Sequence, residues 1–195
     1  EMIKIGRRGS LSGKLVISGT QGHVAYPHLS NNPINALIAV CNKLKILKLD
    51  KGNKNFQPSN LEFTSINIDN KAHNVIPSRA TAQFNIRYND LHTSISLKKK
   101  INKIIRNVCK KNKCNFSVKY EANGDAFLTK PEKTIYMAQK IIKKITKVNP
   151  KFSTTGGTSD ARFIKDISPC LEFGLVNKTM HKIDECVSIS DLKKL

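Results

Sequence analysis

The residues best equipped for chemistry lie in one stretch, Thr154 to Cys186, TTGGTSDARFIKDISPCLEFGLVNKTMHKIDEC. Its glycine pair, followed by Thr158, Ser159 and Asp160, offers free backbone N–H groups and two hydroxyls at a predicted helix start. Such donors suit a carboxylate ligand. Further on, Cys170 to Phe173 reads as a short apolar strand running into Gly174, Asn177 and His181. Open α/β sheets bind ligands in polar loops at the carboxyl ends of their strands. A lone histidine there is either a hydrogen-bonding surface residue or a ligand. A second candidate is His23, in the loop GTQGHVAYPH (19–28) that also carries Tyr26 and His28. An imidazole N–H aimed at developing negative charge is worth roughly 3–4 kcal/mol of barrier, and a loop histidine aimed at nothing is worth none. Arg87, in FNIRY, is either a carboxylate partner or a solvated residue on a sheet face.

These residues need a scaffold, and the hydropathy pattern supplies one. LSGKLVISGT (11–20) alternates Leu11, Gly13, Leu15 and Ile17 against Ser12, Lys14, Val16 and Ser18, the period of a strand. Asn32 and Pro33 form an N-cap and first-turn pair for a helix carrying Ile34, Leu37, Ile38, Cys41, Leu44 and Leu47 on one face. A strand follows over 61–69, with a phase change at Ser65 that predicts a bulge. The next strand, RATAQFNIRYN, aligns Ala80, Ala82, Phe84, Ile86 and Tyr88. A helix over 94–113 is expected to bury Ile95, Ile101, Ile104, Ile105 and Val108, and NFSVKYE reads as a fourth strand. The order β-α-β-β-α-β is that of ferredoxin-like domains. Beyond it, 123–131 breaks the pattern, and a helix with Ile135, Ile141, Ile142 and Ile145 opens another unit. The fold class expected is therefore α/β, with residues 9–122 inserted between the two parts, 1–8 and 123–195, of a second domain. Strand-like Met2 to Ile5 at one end and SISDLKKL at the other read as a piece cut from a longer protein.

The 195 residues carry a formal charge of +20. Clustered cations suit phosphate neutralisation, but here lysines are spread over every predicted helix and no aromatics interleave with arginine as a stacking platform requires. Abundant Lys, Asn and Ile fit a drift in composition, and no specific nucleic-acid partner is expected. A basic surface still attracts an acidic substrate. No run of eighteen apolar residues exists to span a membrane. Five cysteines without paired spacing fit reduced thiols in a cytoplasmic protein.

GTQGHVAYPH, GGTSDARF and EFGLVNKTMHKIDECV, in that order, resemble the C-terminal part of the succinyl-diaminopimelate desuccinylase family, within the di-zinc aminoacylase and carboxypeptidase superfamily. The resemblance covers nearly the whole chain. It implies a metal-dependent amide hydrolase acting on N-succinyl-LL-2,6-diaminopimelate, with two zinc ions per subunit (cobalt as a substitute) and a homodimer formed through an inserted lid domain. It further implies His181 as a zinc ligand, and His23 as a catalytic residue that reaches into the partner's site to support the oxyanion. Arg7 in RRGSLSG would pair with a substrate carboxylate, assisted by Ser10. Tyr26, Asn74 in HNVIP, Arg87, Gly157, Thr158 and Asn177 would complete the substrate contacts. The remaining metal ligands and the glutamate base precede Glu1 in the family, so this chain alone is expected to be inert. Rival readings are another N-acyl-amino-acid deacylase or dipeptidase of the superfamily, a basic nucleic-acid-binding module, and a non-catalytic dimerisation protein.

Overall fold

The computed structural model describes residues 2–176 and 178–195. Its elements run β1 (Met2–Lys4), β2 (Gly6–Arg7), β3 (Gly9–Ser18), β4 (Gly22–His23), α1 (Pro33–Lys45), β5 (Asn60–Asn67), β6 (Val75–Ile76), β7 (Arg79–Tyr88), α2 (Ser94–Lys111) and β8 (Asn115–Ala122). They continue with β9 (Phe127–Leu128), α3 (Lys133–Thr146), β10 (Lys151–Ser153), α4 (Ala161–Ile164) and α5 (Ile189–Lys194). The chain divides into two compact units, one of Arg8–Ala126 and one of Glu1–Arg7 with Phe127–Leu195.

The continuous unit is a four-stranded antiparallel sheet in the order β5-β7-β3-β8. With β3, β5, β7 and β8 as the four strands of β-α-β-β-α-β, this is the ferredoxin-like arrangement. Alternation puts Leu11, Leu15 and Ile17 of β3 and Ala80 to Tyr88 of β7 on one face, where they share a core with α1 and α2. Both helices therefore cover that face, and the polar alternates line the other. Asn32 caps α1 through Oδ1, which accepts the Ile34 N–H at 2.9 Å, and Thr93 and Ser96 cap α2 reciprocally. The ladder between β5 and β7 shifts between Phe63 and Ser65, a bulge at the phase change.

Three helix faces differ from the sequence expectation. In α2 the buried stripe is Leu97, Ile101, Ile105 and Val108, while Ile95 is 64% exposed. Two residues are 200° of helix, so Leu97 and Ile95 cannot both face the sheet. In α1 the stripe is Ala36, Leu37, Val40 and Leu44, and it leaves Ile38 exposed. In α3 only Ile135 is fully buried, and Ile141 and Ile145 are exposed.

The loop between α1 and β5 is pinned by one acid. Asp50 accepts from the backbone N–H groups of Gly52 (2.7 Å) and Ser59 and from Asn89 Nδ2 (2.7 Å), and pairs with His92 Nε2 at 3.1 Å. Burial alone would raise its pKa, but the hydrogen bonds from Ser59, Gly52 and Asn89 outweigh burial and bring it down to about 2. A carboxylate depressed on folding stabilises the native state fully above its unfolded pKa, near 4, and that contribution is lost as pH falls towards 2. Asp50→Ala is expected to cost about 2–3 kcal/mol by stranding these donors. Urea unfolding at pH 7 and pH 3 measures this, with a smaller difference between variant and parent at pH 3.

The discontinuous unit pairs β1 with β10 in parallel and β2 with β9 antiparallel, over a small core of Ile3, Ile5 and Ile135. Cys170 to Phe173 forms no strand. Its one ladder contact is a bridge in which Lys4 N–H donates to the Glu172 carbonyl (2.8 Å) and Glu172 N–H donates to that of Lys4 (2.9 Å). The helix whose start is expected in the stretch from the glycine pair to Asp160 begins at Ala161 and lasts four residues. Gly156 adopts φ +106° and the turn runs on irregularly to Asp160, so Gly157 and Thr158 lie ahead of the helix and not at its N-terminus. No helix among the described residues is long and apolar enough to cross a membrane.

Candidate active site

The discontinuous unit carries an open cleft of about 680 Å³, lined by Lys4, Arg7, Glu172, His181 and the turn from Gly156 to Thr158. Alternation in β1 delivers the first cation, since Ile3 and Ile5 point into the core and Lys4 lies between them. The Lys4 ammonium donates to Thr155 Oγ1 (2.6 Å) and Ser153 Oγ (3.2 Å). Burial lowers its pKa, the neighbouring Arg7 charge lowers it further, and Glu172 opposes both. Arg7 donates through Nε to Glu172 Oε2 at 2.8 Å, through Nη2 to the same oxygen, and through Nη1 to the Thr155 carbonyl at 2.9 Å.

His181 sits on an exposed loop with φ +58°, a left-handed conformation uncommon outside glycine. Its backbone N–H donates to Glu185 Oε2 at 3.2 Å. The loop is clipped by Thr179, whose Oγ1 donates to the Cys186 carbonyl (2.9 Å) and accepts the Cys186 N–H (3.0 Å). Asn177 lies outside the described residues. Among those described, no three His, Cys, Asp or Glu side chains gather where they could hold a metal ion.

The sheet unit holds two further groups of expected site residues. The short ladder between β4 and β6 sets His23 opposite Val75, and Val24 N–H donates to the Asn74 carbonyl at 3.1 Å, so His23 and Asn74 share one end of the ribbon. Tyr26 stands over the same loop, its ring centroid 6.0 Å from that of His23, and all three residues are exposed. Nδ1 of His23 accepts the Ala25 N–H at 3.1 Å. In the neutral ring the proton is then on Nε2, which makes Nε2–H the outward donor. Ser10 and Arg87 are cross-strand partners on the polar face of the sheet. Ser10 is buried there, and its Oγ accepts from Asn85 Nδ2 at 3.1 Å.

Lys4 and Glu172 escaped sequence reasoning, and Gly156 entered it only as half of a glycine pair. The one usable signal was the EFG triplet, whose glutamate sits between apolar neighbours yet has to be paired if it faces inward.

Residues 5–113 match the peptidase dimerisation domain of the M20 type, and the chain belongs to that family. Over all 195 residues it is 66% identical to a succinyl-diaminopimelate desuccinylase of Pelagibacter ubique, covering 51% of that protein, and 49% identical to one of Rickettsia bellii, covering 50%. The chain thus spans about half the length of the curated relatives it matches. Among solved structures, a tripeptidase from Staphylococcus aureus superposes with a TM-score of 0.84 at 16% identity, over 99% of this chain and 50% of the other. Aminopeptidase PepT from Bacillus cereus does so with a TM-score of 0.79 at 13% identity, again over 99% of this chain and 50% of the other. At such identities the likeness speaks for the fold.

Proposed function

We propose that the whole protein is a metal-dependent amide hydrolase that cleaves N-succinyl-LL-2,6-diaminopimelate to succinate and LL-2,6-diaminopimelate, for lysine and cell-wall synthesis in the cytoplasm. The observation that carries this is the 66% identity to a desuccinylase sustained along every residue of the chain. In this reading the sheet unit is the lid through which two copies pair, and the unit carrying the cleft is part of the catalytic domain. A substrate rich in carboxylates calls for many separate cationic and N–H donors, and the roles assigned here are mostly of that kind. Arg7, assisted by Ser10, grips one carboxylate, and Arg87, the cross-strand neighbour of Ser10, grips another. Gly157, Thr158, Asn177, Tyr26 and Asn74 orient the remainder. His23 donates Nε2–H to the oxyanion that forms when water adds to the amide.

Two zinc ions, with cobalt able to replace them, would supply Lewis acidity. A catalytic zinc takes three protein ligands, so the described residues of this chain do not fit a complete centre, and His181 would be one contributor to it. The test is the kcat/KM of the whole enzyme for N-succinyl-diaminopimelate, N-acetylornithine and a dipeptide, following release of each product. A higher kcat/KM for either rival would make the protein a different deacylase or a dipeptidase.

A further inference from the structure

Building on the proposed role of Arg7 as a carboxylate clamp, we propose that Glu172 and Gly156 are positioning residues that hold its guanidinium ready for a substrate carboxylate. Glu172 is itself held in place, because its backbone is bridged in both directions to Lys4 on β1. From there one carboxylate oxygen takes the side-on edge of Arg7, through Nε and Nη2, while the Thr155 carbonyl takes one N–H of Nη1. A guanidinium carries five N–H donors. Three are engaged by these two partners, and one remains on each terminal nitrogen for a second carboxylate. Both ends of the group are thereby located before substrate arrives, which reduces the ordering cost of binding.

Gly156 makes the geometry possible. A Cβ at this position would strike Arg7 Nη1, and at φ +106° any side chain is strained as well. Charge works in the same direction. Lys4, Arg7 and Glu172 together keep one net positive charge in the cleft, enough to attract an anion. Without Glu172, two cations would face each other across a partly buried space.

The experiment uses the whole enzyme with N-succinyl-diaminopimelate and a series of analogues, each with one carboxylate replaced by carboxamide. Arg7→Ala should abolish discrimination against one of these analogues, which identifies the carboxylate Arg7 grips, while discrimination at the carboxylate held by Arg87 persists. Glu172→Ala is expected to raise KM for the natural substrate about tenfold with kcat within about twofold, the signature of lost uniform binding. It should also abolish discrimination against the same analogue. Glu172→Gln, which keeps an acceptor of the same shape, should recover part of the effect, and it decides the matter if the alanine variant does not fold. Gly156→Ala should act in the direction of Glu172→Ala. If Arg7→Ala abolishes the discrimination but neither Glu172 variant weakens it, the positioning role is wrong and the function stands. A fall in KM in Glu172→Ala would also overturn it, making Glu172 a competitor of the substrate. Discrimination against every analogue that survives Arg7→Ala undiminished would remove the clamp itself, and the positioning role with it.

Discussion

Replacing His23 by alanine in the whole protein, on the hydrolase function proposed for it, is expected to lower kcat by about 10²–10³-fold while KM changes little, the loss found when one oxyanion donor is removed. Nδ1 of the ring is occupied by the Ala25 N–H, so Nε2 is the donor an oxyanion would meet. That hydrogen bond strengthens only as negative charge develops, which is why the loss falls on kcat. His23 and His181 belong to different units of the chain. They serve one active site either within a single chain or by contribution from a partner. The partner arrangement predicts complementation. When His23→Ala and His181→Ala enzymes exchange subunits, each mixed dimer has one site lacking both groups and one site with both, so activity should recover to about a quarter of the parent's at random exchange. Exchange shown by mass, with no recovery of activity, would place His23 in its own subunit's site.

On the proposed two-zinc centre, His181→Ala should lower zinc content from roughly two ions per subunit towards one, because a catalytic site with three protein ligands does not hold its metal on two. In the proposed mechanism activity should fall further than in the His23 variant, since the metal would supply Lewis acidity and the imidazole of His23 would only assist. Backbone geometry needs its own control. At φ +58° alanine is strained, so zinc could be lost through a displaced loop. His181→Gly, free of that strain, separates the causes. Zinc lost equally from both variants assigns the loss to the imidazole, while zinc retained by the glycine variant would take His181 out of the ligand set. Metal analysis after exhaustive dialysis is the measurement.

Features carried by neighbouring residues were legible. Strand alternation in β3 and β7 showed which side chains enter the core, because the period of two follows from the backbone alone. The Asn32–Pro33 start of α1 and the bulge before Ser65 depend on a few consecutive residues and were visible for the same reason. Helix faces were less secure. The isoleucines of α2 suggest a stripe through Ile95, and only the position of the sheet decides that Leu97 takes the buried side. The site divides in the same way. The motifs around His23 and His181 mark candidate residues, and the antiparallel register of β3 and β7 makes Ser10 and Arg87 neighbours. The partner of Arg7 lies 165 residues away. Nothing local to either residue encodes that pairing; it exists because the chain returns after the inserted sheet and bridges Glu172 to β1. The sequence by itself determined the candidate chemistry and the period of each element. Which glutamate meets which arginine, and how close the Gly156 turn comes to that arginine, was decided by the tertiary structure, because long-range contacts depend on where the chain closes and not on the residues beside them.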